Sequence, residues 1–356
     1  MPALNLILLP LLISLIVSWL IVHFSDKIDW MTNKLDLHGV QKFHLEHTSS
    51  LGGIPVFLGF SIGLWLLDEQ VDGLWILWLA SLPVFVGGLY EDLTTRVPPL
   101  LRLLFAFVSI FILAIFMNLG VFSLGIEWID GFLSNYYLIG LLFTLLVVGG
   151  AVNSLNIIDG FNGLMAGYAM LASLALVFVA YTLGDDLILE LSLLLFSSLF
   201  GFFILNFPFG KIFMGDGGAY FVGFILAGIS LWLVDRHEEL SNWFVLLIFI
   251  YPMYEVLFSI YRKKIVRGTF PSQPDGYHLH MLFYKRVVKC KTFKNNKTIC
   301  NSMTSPFLWA LSLVGIIPAV IWYDDQTMLI IWAFVFMVIY TIIYRRIVHF
   351  KFKFKK

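Results

Sequence analysis

An all-α integral membrane protein with about eleven transmembrane helices is the fold class that this sequence predicts, on three observations. Of its 356 residues, 60% are hydrophobic, 17% aromatic and only 13% charged, more apolar surface than a soluble domain buries. The apolar residues fall in eleven runs, roughly 3–23, 51–67, 73–90, 100–119, 136–152, 164–182, 187–205, 218–234, 242–261, 306–323 and 326–344. Such runs have the length, about 17 to 25 residues, that crosses a bilayer. Finally, the connections between the runs alternate in charge.

The first run, Met1 to Val22, has no basic residue before it and no small-residue cleavage site after it, so it reads as a retained span and not a removed signal. The connections after the second, fourth, sixth, eighth and tenth runs hold Asp68, Glu69, Asp72, Glu127, Asp130, Asp185, Asp186, Asp235, Glu238, Glu239, Asp324 and Asp325, with Arg236 the only one of the 23 Lys and Arg residues among them. By the positive-inside rule the N-terminus lies outside and the other connections and the C-terminal tail are cytoplasmic. The chain reads as one polytopic unit, 1–356, with a large cytoplasmic loop at 262–305. A formal net charge of zero argues against nucleic acid as a partner. Cys290 and Cys300, with nine residues between them in a Lys-rich loop, match no zinc or redox spacing and are expected to be reduced surface thiols.

Five polar stretches fall on the cytoplasmic side: Gln41 to Gly53, Gly87 to Arg102, Asn153 to Leu164, Asn206 to Gly218, and Arg262 to Arg286. In the third, Asn153, Asn156 and Asp159 recur every third residue at the end of an apolar run. On a helix they drift slowly along one face and line a single pocket. Gly160 and Gly163 then break the helix. Interhelical polar contacts and a polar helix stop account for these residues as well.

Glu91, Asp92, Asp159 and Asp216 sit at the ends of runs on this face, together with His278, His280, Lys211, Arg262, Lys263, Lys264 and Arg267. Carboxylates beside bases suit a divalent cation holding a phosphorylated substrate, and hard oxygen ligands select magnesium or manganese. Gly215, Gly217 and Gly218 flank Asp216 at the start of a run, where free backbone N–H groups can face an anion; a plain helix cap is the competing role. Two histidines with one residue between them can reach one phosphate from an extended segment, and zinc is the rival ligand.

Glu91-Asp92, Asn153-x-x-Asn156-x-x-Asp159-Gly160 with Asn162-Gly163-Leu164, Phe213-x-Gly215-Asp216-x-Gly218 and His278-x-His280 together resemble the polyprenyl-phosphate N-acetylhexosamine-1-phosphate transferases over nearly the whole chain. The resemblance implies a multi-pass enzyme of the bacterial inner membrane. It implies magnesium-dependent transfer of a sugar-1-phosphate from a UDP-sugar to a polyprenyl phosphate, with release of UMP, as the first step of a cell-surface polysaccharide. Asp216 would ligate magnesium and Asp159 would support the metal and the diphosphate. Phe213 would stack on uracil with Asn206 nearby, Asp92 would stand next to the attacking phosphate, and His278 and His280 would hold the diphosphate. Asn153, Asn156, Lys211, Arg267 and His44 complete the expected substrate-binding set, and Glu91 is counted with the catalytic acids. A second copy of the chain is a candidate partner. Glu91 stands where the family usually has Asp, and His-Leu-His replaces the longer His run of the peptidoglycan enzyme, phospho-MurNAc-pentapeptide transferase. That favours the simple-sugar branch. A transporter is the alternative from another class; its sites belong near the bilayer midplane, whereas these acids cluster at span ends. Glu255 is the best candidate for a buried acid, with a structural partner at the interface as its simpler role.

Overall fold

The computed structural model describes residues 4–25, 48–67, 72–268, 270, 276–288 and 296–349. Those residues form fifteen α-helices: α1 (Leu4–Ser25), α2 (Gly53–Leu64), α3 (Asp72–Thr94), α4 (Pro99–Met117), α5 (Glu127–Asn135), α6 (Tyr137–Ile158), α7 (Leu164–Leu183), α8 (Asp186–Asn206), α9 (Gly215–Arg236), α10 (Asn242–Ile248), α11 (Ile250–Tyr261), α12 (Leu279–Arg286), α13 (Lys297–Ser302), α14 (Ser305–Ile321) and α15 (Gln326–Val348). A π-helical turn, Arg262–Val266, extends α11. Nine helical stretches are long and apolar enough to cross a membrane: α1, α3, α4, α6, α7, α8, α9, α13 joined to α14, and α15. The protein is therefore an all-α membrane protein.

Two of the apolar runs behave otherwise. The run at 51–67 yields only the 12-residue helix α2: its first residues are drawn into backbone pairing with a distant loop, and its last three, Trp65, Leu66 and Leu67, close in tighter three-residue turns. Ser49 bridges Ile212 in parallel, and the N–H groups of Gly52 and Gly53 donate to the carbonyls of Phe213 (2.9 Å) and Met214 (2.8 Å). The run at 242–261 is not one straight span, since α10 and α11 meet at Phe249 with a bend of 75°. A broken helix in an apolar setting must have its freed carbonyls satisfied from outside. The buried Tyr168 hydroxyl of α7 does this, donating to the Ile248 carbonyl at 2.6 Å.

The loop expected over 262–305 carries structure of its own. It holds the π-helical turn, α12 and α13, and Leu279, His280, Met281, Leu282 and Phe283 of α12 are all buried. Cys300, expected as a reduced surface thiol, is instead buried and disulfide-bonded. It lies on α13, which packs against α14. Cys290, the chain's only other cysteine, and His44 both lie outside the described residues.

Helix α9 is the axis of the bundle. Nearly all of it is buried, and α2, α3, α4, α6, α7, α8 and α10 pack around it. Its crossing with α3 needs glycine on both sides: a Cβ on Gly88 would stand 2.5 Å from the Gly217 Cα and 2.7 Å from the Asp216 carbonyl carbon. Backbone cannot yield as a side chain does. The other end of the bundle is tied separately, by Asn242 donating to the Ser123 carbonyl and Trp243 to that of Leu124. There Asp185 caps α8 and pairs with Arg236 and His237.

Gly88→Ala should therefore lower the thermal stability of the detergent-purified protein by about 1–3 kcal/mol, the usual cost of overpacking. Gly131→Ala, with open space around it, should leave the melting temperature unchanged. Equal melting of both variants would disprove the tight crossing.

Candidate functional site

The site is assembled around the first turn of α9. That helix has no cap from its own sequence, so its leading N–H groups need acceptors from elsewhere. Asp92, in the last turn of α3, supplies one: its two carboxylate oxygens accept from the N–H groups of Asp216 at 2.8 Å and Gly217 at 2.9 Å. Asp159, the residue closing α6, supplies another by accepting from the Gly215 N–H. Gly215 lies at φ +76°, and a Cβ there would overlap the Ser50 carbonyl oxygen and crowd the Asp92 carboxylate. Only glycine fits this corner.

The three-residue period on α6 does what its spacing implies. Asn153, Asn156 and Asp159 lie along one face and meet α9 in sequence. The Asn153 Oδ1 accepts from the Tyr220 hydroxyl at 3.1 Å, and the Asn156 Nδ2 donates to the Asp216 Oδ1 at 2.7 Å. The other oxygen of Asp216 is paired with the Arg102 guanidinium from the first turn of α4. Asp92, Asp159 and Asp216 are close enough to feel one another's charge. At Asp159, desolvation and then the Asp216 charge push the carboxyl up to about 7, against the hydrogen bond from Gly215.

The remaining predicted residues divide into three groups. Glu91 turns away from the cluster, its Oε2 accepting from the Val97 N–H at 2.7 Å. Asn206 is buried, and both ends of its amide hold loops: the Oδ1 accepts from the Gly163 N–H at 2.6 Å and the Nδ2 donates to the Ile212 carbonyl at 2.7 Å. This clamp sets the positions of Phe213, which is half-buried, and Lys211, which is exposed over the Phe209 ring. Arg267 stacks on Tyr277, its guanidinium carbon 4.0 Å from the ring centre.

His278 and His280 form a separate centre with Glu255. All three are buried, and the two imidazoles stack at 5.3 Å with 14° between planes. The Nδ1 of His278 is 3.2 Å and that of His280 3.6 Å from the Glu255 Oε1. Burial pushes His280 down to about 4, although the Glu255 charge pulls the other way. His280 packs edge-on against Phe161 and points its Nε2 towards Gly160, the neighbour of Asp159. His280 thus reaches the edge of the carboxylate cluster.

Sequence reasoning gave no role to Arg102 or Tyr220, and it left Glu255 without a partner. Arg102 is 114 positions from Asp216 and Glu255 is 23 from His278, so no local spacing reveals either pair. The one available signal was an acid in an apolar run. Among the described residues, two groups of donors suit a metal. Asp159 and Asp216 offer hard oxygens for magnesium or manganese, while the ligand atoms of Glu255, His278 and His280 lie within 4.8 Å of one another.

The family described as glycosyl transferase family 4 matches residues 74–234, which takes in α3 to α9 and every carboxylate of the cluster. A probable undecaprenyl-phosphate N-acetylglucosaminyl 1-phosphate transferase of Bacillus subtilis is 27% identical over 277 residues, 76% of this chain and 75% of its own. An undecaprenyl-phosphate alpha-N-acetylglucosaminyl 1-phosphate transferase of Thermotoga maritima is 27% identical over 262 residues, 73% of this chain and 76% of its own. A phospho-N-acetylmuramoyl-pentapeptide-transferase of Lactiplantibacillus plantarum is 33% identical over a shorter 165 residues, 46% of this chain and 47% of its own. Its match stops well short of the coverage that the other two reach. The residues that gather at the first turn of α9 thus lie within the region that matches glycosyl transferase family 4, and over about three quarters of its length the chain is similar to undecaprenyl-phosphate N-acetylglucosaminyl 1-phosphate transferases.

Proposed function

We propose that this chain transfers a sugar-1-phosphate of the N-acetylhexosamine class from a UDP-sugar to undecaprenyl phosphate, releasing UMP, at the cytoplasmic face of a bacterial inner membrane. The observation that carries this reading is the convergence of Asp92, Asp159 and Asp216 with Asn153, Asn156 and Arg102 on one helix N-terminus. In the reaction an oxygen of the lipid phosphate bonds to the sugar-bearing phosphorus of the donor, and the bond from that phosphorus to the oxygen of UMP breaks. Above its second pKa of about 6 a phosphate monoester is largely a dianion. The attacking group therefore needs alignment and charge neutralisation more than it needs a base.

Magnesium or manganese fits Asp216 and Asp159. The donors are hard oxygens, and the crowding of acids that raises Asp159 calls for a cation beyond Arg102. When bound, such an ion neutralises phosphate charge and polarises the bond to phosphorus. The chain's own residues prepare the place: Asn156 and Arg102 fix the two oxygens of Asp216, Asp92 fixes the backbone beneath it, and Arg102 brings positive charge to the acceptor. Orientation in the bilayer follows the basic residues. Eleven crossings, counting α2 and the bent α10–α11 pair, put the N-terminus outside and the site and C-terminus in the cytoplasm.

Purified protein given UDP-N-acetylglucosamine, undecaprenyl phosphate and magnesium should release UMP and form a lipid-linked sugar. Asp216→Asn should abolish turnover while the protein still folds; normal activity there, or in excess chelator, would refute the assignment. Asp92→Asn should be severely impaired and should not recover between about pH 6 and 9, because loss of a cap on α9 is not mended by deprotonating the phosphate. Recovery at high pH would restore Asp92 as a base. In a cysteine-free background, a cysteine at position 325 should react with an impermeant probe only from outside and one at 275 only from inside. The reverse labelling would overturn the orientation.

A further inference from the structure

The geometry points to Glu255 as a positioning residue for the reaction: it fixes the proton and supports the charge of the His278 imidazole, and holds the His280 ring beside it, in the segment read as facing the donor diphosphate. This rests on the reading of the His segment as a diphosphate site. Glu255 sits on α11 and is almost wholly buried, where an ionised carboxylate persists only if its oxygens are satisfied. They are satisfied from three directions. The Oε1 accepts from the Leu279 N–H at 2.6 Å and faces the Nδ1 of His278 at 3.2 Å; the Oε2 accepts from the Tyr340 hydroxyl of α15 at 2.9 Å.

Leu279 is the first residue of α12 and His278 its cap position, so one carboxylate both caps that helix and holds the histidines on either side of Leu279. A carboxylate accepts hydrogen bonds only, so the Nδ1 of His278 carries the proton and the Nε2 is the nitrogen directed away from Glu255. When the ring gains its second proton the Nε2–H becomes a charge-bearing donor, and the Glu255 carboxylate stabilises the imidazolium, as the carboxylate of a catalytic triad does for its histidine. The stacked His280 stands over the same oxygen. Its ring nitrogens have no hydrogen-bond partner among the described residues, and its Nε2 faces Gly160 beside Asp159. One buried acid thereby holds a stacked pair of imidazoles, the inner of which faces the neighbour of Asp159.

The same three residues have the spacing of a metal site; in this structure their contacts are with one another, with the Leu279 N–H and with the Tyr340 hydroxyl. The contacts are those of a clamp.

The full-length protein labelled with 15N-histidine should show the Nδ1 of His278 protonated, with the signal assigned by its loss in His278→Ala. Glu255→Gln keeps the shape and removes the charge, and should lower kcat on the order of a hundredfold. The KM for the UDP-sugar should change by less than about threefold, as for a group that acts in the transition state. Combined with His278→Ala it should cost little more than His278→Ala alone, since the two residues act as a unit. Tyr340→Phe, which removes a single hydrogen bond to Glu255, guards against misfolding and should show a smaller kcat loss in the same direction. A wild-type rate in Glu255→Gln beside a slow His278→Ala, or losses that multiply in full, overturns the proposal alone. A wild-type rate in His278→Ala overturns the diphosphate reading and the proposal with it. One zinc ion per chain, lost in Glu255→Gln, overturns it in favour of a metal site.

Discussion

The N-terminus of α9 carries unpaired backbone N–H groups, and the positive end of a helix dipole, into the interior of the bundle. Carboxylates from two other helices take them up. Asp159 at the end of α6 accepts from the Gly215 N–H, and Asp92 at the end of α3 accepts from those of Asp216 and Gly217. Three successive amides are thus shared between two acids that are far apart in the chain. This fixes where α3 and α6 must end. It also explains the glycines, because Asp92 reaches the amides only if α3 lies against α9 at Gly88 and Gly217.

With those two acids committed to the backbone, the third is presented in a defined pose. Asp216 has one oxygen on Asn156 and the other on Arg102. None of these partners is on a long free loop: Asn156 is on α6, Arg102 on α4, and Asp216 on α9. Charges and dipoles held by rigid elements do not reorganise as charge develops on a substrate, and that is the condition under which electrostatic stabilisation is strongest. The loops add a second clamp, in which Asn206 joins Gly163 to Ile212 and the 49–53 segment pairs with 212–214.

Sequence periodicity reached the α6 face because Asn153, Asn156 and Asp159 are local to one helix and their spacing maps directly onto its surface. It also marked the start of α9, where glycines surround Asp216. It did not reach the acceptors of that helix start, since Asp92 is 124 positions from Asp216. Hydropathy likewise located the run at 242–261 but not its bend; the local signal was Pro252, which has no N–H to offer the Ile248 carbonyl, and that carbonyl is met by Tyr168 from another helix. The run at 51–67 overstated α2 at both ends: backbone pairing to 212–214 competes for its first residues and tight turns take residues 65–67, and apolarity carries no record of either.

The two ends of the bundle hold the same residue type in opposite electrostatic states. At Asp185 burial alone would raise the carboxyl, but hydrogen bonds from Arg236, the Ile188 N–H and His237 outweigh it and hold it below the ordinary carboxylate range. That acid is saturated with donors and serves as a cap. At Asp159 burial acts in the same direction, but the next group is another acid, and the single hydrogen bond from Gly215 does not compensate. The result is a carboxyl raised to about 7 beside Asp216. A fold with no use for this crowding would be expected to relieve it, as the opposite end does with Arg236 and His237. Opposed environments for like groups mark the place where charge is handled and not merely balanced. On the proposed function, positive charge brought to this end meets acids that are already aligned, and a phosphorylated substrate arriving with it meets Arg102 and the histidine segment held by Glu255.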